Sequence, residues 1–208
     1  EPQLTTDSSH DIMDALAGEA ADVTVSEETA GHGIEGLTAR AVAYPVSLPE
    51  LGLVISAANR HGWAVAPWGG GTRTPLGNAP QRLDLVVDLS RLDRVVEHSP
   101  ADLTATVQAG ITLAKLQDVL RVHRQFLALD PPLPSRATVG GTLATAVSGP
   151  TKWQYGNPRD VVIGMKVVQA DGIVTKSGGQ VVKNVSGYDM ARLHIGGLGA
   201  LGIIAEAS

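Results

Sequence analysis

The chain contains no cysteine, which excludes disulfides, thiolate metal sites and a cysteine nucleophile. That absence leaves the compartment open, because disulfide-free proteins occur on both sides of a membrane. No apolar run approaches the roughly 18 residues that a membrane span needs, and the opening EPQLTTDSSHD lacks the layout of a signal peptide. No block of lysine and arginine stands out and the net charge is −5, so a nucleic-acid surface is not expected. The six histidines, at 10, 32, 61, 98, 123 and 194, show neither i, i+4 pairing nor H-x-H spacing. Each reads as a surface or capping residue, and no metal site is expected. Carboxylates paired at a useful spacing are also missing. Ser148 lies in AVSGP, not in a G-x-S-x-G elbow, so a serine hydrolase is not supported.

What is present is the material of a folded core. Hydrophobic residues make up 43% of the 208 and charged residues 18%, enough for one large domain or two small lobes. In the first 40 residues we expect a helix at Asp11–Ala20 and little else. SLPE at 47–50 matches a capping box, and Leu51, Val54, Ile55 and Ala58 follow at helical spacing up to Gly62. That predicts an amphipathic helix over Leu48–His61. Strands are expected at 63–67, 83–90, 95–97, 104–108 and 126–129. Thr112 can cap a helix over Leu113–His123, and the small-residue stretch 138–149 suggests another, shorter helix. Residues 161–184 hold apolar runs separated by Asp171-Gly172, a hairpin signal. The chain stops soon after a strand-like run at Ile203–Ala205, which suggests a domain of something longer. Helix and strand signals alternate first and give way to strands, so the class is α+β in two lobes.

Glycine is where the sequence is most unusual. Gly69, Gly70 and Gly71 stand together in APWGGGTRTP. Glycine is costly to order, so such a run reads either as a slack turn or as backbone that something must approach closely. Consecutive N–H groups there, with Thr72 and Arg73 beside them, would suit phosphate oxygens. Two further clusters, Gly140-Gly141 with Ser148-Gly149, and Gly196–Gly202, also fall at element ends. A long ligand threaded between two lobes would use all three. Two strings, Gly31–Gly36 and Gly197–Gly202, satisfy G-x-G-x-x-G. Neither follows a strand and opens a helix, which the dinucleotide mechanism requires, so neither reads as a Rossmann site.

PWGGGT (67–72), ATVGGTLATAVSG (137–149), YGNPRDVVIGMKVVQADG (155–172) and KNVSGYDMARLHIGGLGALGII (183–204) occur in an order that resembles the FAD-binding domain of the vanillyl-alcohol oxidase/p-cresol methylhydroxylase flavoprotein family. Within it, the likeness is greatest to the FAD-binding subunit of bacterial glycolate oxidase, especially over GGQVVKNVSGYD (178–189). The resemblance spans about residues 44–208. It implies a small mixed or parallel sheet lobe (about 41–90) and a larger, mainly antiparallel lobe (about 91–208) flanked by helices, after an N-terminal segment 1–40. It further implies that Pro67, Trp68, Gly69, Gly70, Gly71, Thr72 and Arg73 wrap the FAD pyrophosphate. Thr138, Gly140, Gly141, Thr142, Thr145, Ser148 and Gly149 would line the flavin and ribityl side, and Gly199, Gly202 and Ile203 would close over the cofactor.

Departures from the family pattern matter too. Some relatives attach FAD through a histidine in the first loop; Thr72 and Arg73 stand there here, so noncovalent binding is expected. Where the family often has G-S-x-G-T-L-G, residues 197 and 200 lack the hydroxyls. No substrate-binding cap domain follows the last motif, and no catalytic base is assigned. Arg73, Tyr155, Lys183 and Tyr188 are polar groups near the motifs for which structural roles are expected. The resemblance implies an FAD module of an oxidoreductase acting on a small 2-hydroxy acid such as glycolate. It also implies partner subunits of an oxidase complex and a cytoplasmic location, with membrane association only through partners. Two other readings stand beside it: a flavin-carrying or degenerate subunit without catalysis, and a sugar-nucleotide reductase using NADPH.

Overall fold

A computed structural model of the chain describes residues 8–179 and 190–208. Lys183, Tyr188 and most of GGQVVKNVSGYD therefore lie outside the described residues. Ser8 caps helix α1 (Ser9–Glu19) through a capping box with Asp11, and Ile12 and Leu16 face the core. Strand β1 (Thr24–Ser26) follows, then a hairpin of β2 (Gly33–Ile34) and β3 (Leu37–Thr38), then β4 (Ala41–Tyr44). The first 40 residues thus hold more structure than their composition suggested. The hairpin occupies one of the two fingerprint strings: Glu35 and Gly36 both have positive φ, 48° and 83°, as a two-residue type I′ turn requires.

The predicted helix over 48–61 forms as α2 (Leu48–His61), with Ser47 accepting from the Glu50 amide and Gly62 ending it in the left-handed region. The chain continues through β5 (Val65–Trp68) and β6 (Leu85–Asp88). The first sheet has the order β1-β4-β6-β5, with β6 parallel to both β4 and β5, and β1 antiparallel to β4. All four residues of β6 are buried, as suits a strand covered on both faces. Ala41, Ala43, Leu85 and Val87 face α2, while Val42, Val86 and Trp68 meet the β2–β3 hairpin on the other side.

The second half opens with β7 (Val95–Ser99) and β8 (Thr104–Gln108), followed by α3 (Leu113–Arg121), α4 (Val139–Thr145), α5 (Lys152–Tyr155) and α6 (Pro158–Val161). It closes with β9 (Gly164–Val168), β10 (Val174–Gly178), α7 (Met190–His194) and β11 (Ile203–Ala207). Five strands form an antiparallel sheet in the order β10-β9-β11-β8-β7. Asp171-Gly172 turns the β9–β10 hairpin, as its sequence predicts. The two sheets are joined where α2 meets that turn: a Cβ on Gly52 would lie 2.7 Å from the Gly172 carbonyl oxygen.

One expected strand does not form. Residues 126–129 form an apolar run but pair with no strand among the described residues. Side chains hold their backbone instead: Thr151 donates its hydroxyl to the Ala128 carbonyl (3.2 Å), and Gln117 serves Leu127. Gln117 on α3 donates from Nε2 to the Leu127 carbonyl (2.6 Å) and accepts from its amide at Oε1 (3.1 Å). A primary amide reproduces the backbone's donor–acceptor pair, so the segment is satisfied without a ladder.

Candidate functional site

The end of β5, the loop after it, α4 and the turn before β11 meet at an open cleft of about 460 Å³. Its volume lies in the ordinary range for small-molecule sites. Of the residues expected to hold a cofactor, Pro67, Trp68, Gly69, Gly70, Gly71, Thr72, Arg73, Thr138, Gly140, Gly141, Thr142, Thr145, Gly199 and Ile203 all line it. Residues 67–73, 138–145 and 199–203 are far apart in sequence, and the fold brings them to one cavity. Ser148, Gly149 and Gly202 are not on its wall. Gly149 donates its amide to Asp130 Oδ1 (2.9 Å), and the Ser148 hydroxyl is buried without a hydrogen-bond partner among the described residues. A Cβ on Gly202 would press into Val167 of β9.

The close approach that the glycine run demands is made first by the protein itself. A Cβ on Gly70 would lie 1.7 Å from the Arg136 carbonyl oxygen, and one on Gly69 would lie 2.4 Å from Thr138 Oγ1. Gly71, at φ +61°, backs onto the indole of Trp68: a Cβ there would lie 2.7 Å from Cζ2. Packing therefore does justify the three glycines, contrary to their appearance in the sequence: they let the loop lie flat on the 136–138 segment. Arg136 fastens it from outside by donating to the Gly70 carbonyl (3.0 Å).

So held, the loop leaves its donors free. None of the amides from Gly69 to Arg73 donates to another described residue, nor do the Thr72 hydroxyl and the exposed Arg73 guanidinium. By contrast, the Thr142 and Thr145 hydroxyls donate back to helix carbonyls, Thr138 O (2.8 Å) and Gly141 O (2.7 Å). Thr138 caps α4 by accepting from the Gly141 amide (3.1 Å). Among the described residues the cleft wall carries no carboxylate and one arginine, in a chain whose net charge is −5. Such a surface suits an anion bound along a row of N–H groups.

Asp130 ties the cleft's edge together. Its carboxylate accepts from the Gly149 amide, the Thr151 amide (3.1 Å) and the Thr151 hydroxyl (2.6 Å). Burial pushes its pKa upward, but these donors outweigh burial and hold it below the ordinary value. Two histidines depart from the surface role expected of them. His194 is buried, and burial lowers its pKa. His32 is half-buried, its Nε2 2.8 Å from Asp88 Oδ2. No spacing rule reveals that pair, because its partners lie 56 residues apart.

Residues 39–178 match the sequence profile of the FAD-binding domain family. The chain belongs to that family. The chain is also similar to part of several curated proteins. It is 36% identical over 168 residues to D-2-hydroxyglutarate dehydrogenase of Xanthomonas citri pv. viticola, covering 81% of this chain and 36% of the relative. Glycolate oxidase subunit GlcD of Bacillus subtilis is 33% identical over 167 residues, 80% of this chain and 36% of that protein. Glycolate oxidase subunit GlcE of Escherichia coli is 36% identical over 115 residues, 55% of this chain. The solved structure of alkyldihydroxyacetonephosphate synthase superposes with a TM-score of 0.70 at 26% identity, over 82% of this chain and 33% of that one. The FAD-binding domain thus spans about a third of the length of the relatives it matches. Among the described residues, no helix is long and apolar enough to cross a membrane.

Proposed function

We propose that this chain holds FAD noncovalently as the cofactor module of an oxidoreductase that acts on 2-hydroxy acids such as glycolate. The row of amides from Gly69 to Arg73, unpartnered among the described residues and in a wall where those residues place no carboxylate, is the observation that carries this reading. These residues would hold the pyrophosphate, with Thr72 and Arg73 adding a hydroxyl and a charge. Thr138, Gly140, Gly141, Thr142 and Thr145 would line the flavin and ribityl side, with Ser148 and Gly149 behind them, and Gly199, Gly202 and Ile203 would close the far edge. The orphaned Ser148 hydroxyl is a donor still in need of an acceptor. Among the described residues the wall contains no histidine, cysteine, tyrosine or lysine that could form a bond to the flavin, which supports noncovalent attachment.

FAD supplies the hydride-accepting ring when bound. The chain's own work is to bind, orient and shield it, the apolar side chains of Val65, Leu89, Ile203 and Ile204 keeping water from one side of the cleft. Residues 41–90 and 91–208 are read as the two lobes around the cofactor, after the N-terminal segment 1–40. Substrate contacts would come from a further domain or partner subunits, in the cytoplasm or at a membrane reached through those partners. Relatives named for 2-hydroxyglutarate, glycolate and lactate support the substrate class without choosing within it.

A second reading, a flavin-carrying subunit without catalysis of its own, is favoured by one observation: among the described residues, Arg73 is the one ionisable side chain on the cleft wall. The test is the visible spectrum of the purified chain before and after incubation with FAD and desalting. Retained flavin bands, released on denaturation, are the expected result. No retention in excess FAD would overturn the cofactor reading. Retained flavin that no 2-hydroxy acid bleaches, even in the full-length or assembled protein, would favour the second.

A further inference from the structure

We propose that His32 is a positioning residue for the cofactor loop, acting through Trp68. The inference rests on the FAD reading for its ligand but concerns how the loop is held. Trp68 is the last residue of β5, 9% exposed, and its indole forms the surface on which Gly71 lies. On the hairpin side, the His32 imidazole packs against that indole at 5.1 Å between centroids, tilted by 53°. Asp88, paired with Trp68 in the β5–β6 register, fixes the imidazole. A carboxylate only accepts, so the proton sits on Nε2 and is donated to Asp88 Oδ2. The other carboxylate oxygen accepts from the Ser90 amide (2.7 Å), so Asp88 cannot rotate freely. Tyr44 closes the pocket edge-on, 6.2 Å from the imidazole, and Arg91 stacks over the far side of Tyr44.

A line of contacts thus runs from Asp88 to His32, Trp68 and Gly71, ending at the amides that face the cleft. Neither His32 nor Asp88 lines the cleft itself. Their contribution is to stop the indole from tilting away. If it tilts, the floor beneath Gly71 drops and the loop from Gly69 to Arg73 loses its fixed shape. The site is then present but loose, as when supporting groups are removed from any preorganised centre. His32 Nδ1 is buried with no partner. The bond from Nε2 to Asp88 Oδ2 is thus what fixes the ring. The imidazole is therefore held in one tautomer and one orientation, as a fixed buttress must be.

The test compares wild type with His32→Ala and with Asp88→Asn, which removes the carboxylate that sets the tautomer while keeping a similar shape. Backbone ¹⁵N order parameters of residues 69–73 are recorded without ligand, and FAD affinity by titration well below each variant's melting temperature. In wild type the loop is expected to be rigid, with order parameters of about 0.85, falling toward roughly 0.6 in His32→Ala. FAD affinity is expected to fall about tenfold, with Asp88→Asn intermediate in both readouts. Unchanged order parameters in both variants would overturn the positioning role, whatever happens to affinity. A wild type with a rigid loop and a loosened variant, neither of which binds FAD, would sustain this inference and sink the cofactor reading instead. A variant that merely lowers the melting temperature and leaves the loop rigid makes His32 a packing residue only, and the proposal fails.

Discussion

Substituting Gly70 by alanine isolates the close approach on which the cofactor loop depends. The added Cβ would sit 1.7 Å from the Arg136 carbonyl oxygen and 2.6 Å from its carbonyl carbon. Both are backbone atoms, so no side chain can turn aside. Ordinary van der Waals contact begins at 3.4 Å, and the two segments must therefore part by well over an ångström. Overpacking of this kind costs about 1–3 kcal/mol. For a domain of this size, 1 kcal/mol corresponds to roughly 2–4 °C in melting temperature, so we expect a fall of about 2–12 °C. The same shift separates the loop from Arg136 and misdirects its amides. Losing one charge-assisted hydrogen bond, about 1.5–3 kcal/mol, already implies at least a tenfold weaker affinity for FAD. Calorimetry and a fluorescence titration with FAD measure the two effects. Gly18→Ala is the control: nothing lies within 4 Å of its Cβ position near the end of α1, and it should be neutral or stabilising by up to about 1 kcal/mol. Wild-type melting and affinity in Gly70→Ala would refute the packing of the loop on residue 136.

Thr138→Ala removes the cap of α4 and should lower the urea midpoint by the equivalent of about 0.5–2 kcal/mol, with Thr138→Ser close to wild type. Gln117→Leu leaves both backbone groups of Leu127 unpaired and should cost about 1–3 kcal/mol, measured in the same way. Asp130 is a case where pH separates roles. Its folded pKa lies below the unfolded one, so its contribution is present above the unfolded value and is lost as pH falls through the folded value. Asp130→Asn should therefore reduce stability at neutral pH and shrink the further loss seen in acid; an acid limb as steep as wild type in thermal melts would refute the assignment.

Short-range chemistry was legible in the sequence and long-range partnership was not. Ser47, Glu50 and Gly62 announced both ends of α2, because capping is settled within four residues. Asp171-Gly172 announced a hairpin for the same reason. The strand expected at 126–129 failed because a short apolar run cannot say whether a partner strand exists, and here Gln117 took the partner's place. His32 looked like an ordinary surface histidine since Asp88 and Trp68 meet it only after β2, β5 and β6 have assembled. The glycine clusters marked the right places at the cleft, but the sequence could not tell that the nearest body to Gly70 would be Arg136. Periodicity also missed α5, α6 and α7, none longer than five residues, which are too short for a helical face to repeat.

The position of β11 has a consequence for how the protein is made. It lies in the middle of the antiparallel sheet, between β9 and β8, yet it follows all four of that sheet's other strands in the chain. The β7–β8 and β9–β10 hairpins can each close as soon as they are translated, but each then waits with an unpaired edge for residues 203–207. Ile203 and Ile204 on that strand also complete the cleft wall. Nascent chains stalled before Ile203 should therefore carry two sticky hairpins and half a cleft, the form most exposed to aggregation and to chaperone capture, and cofactor loading should wait until residues 203–207 have emerged and paired.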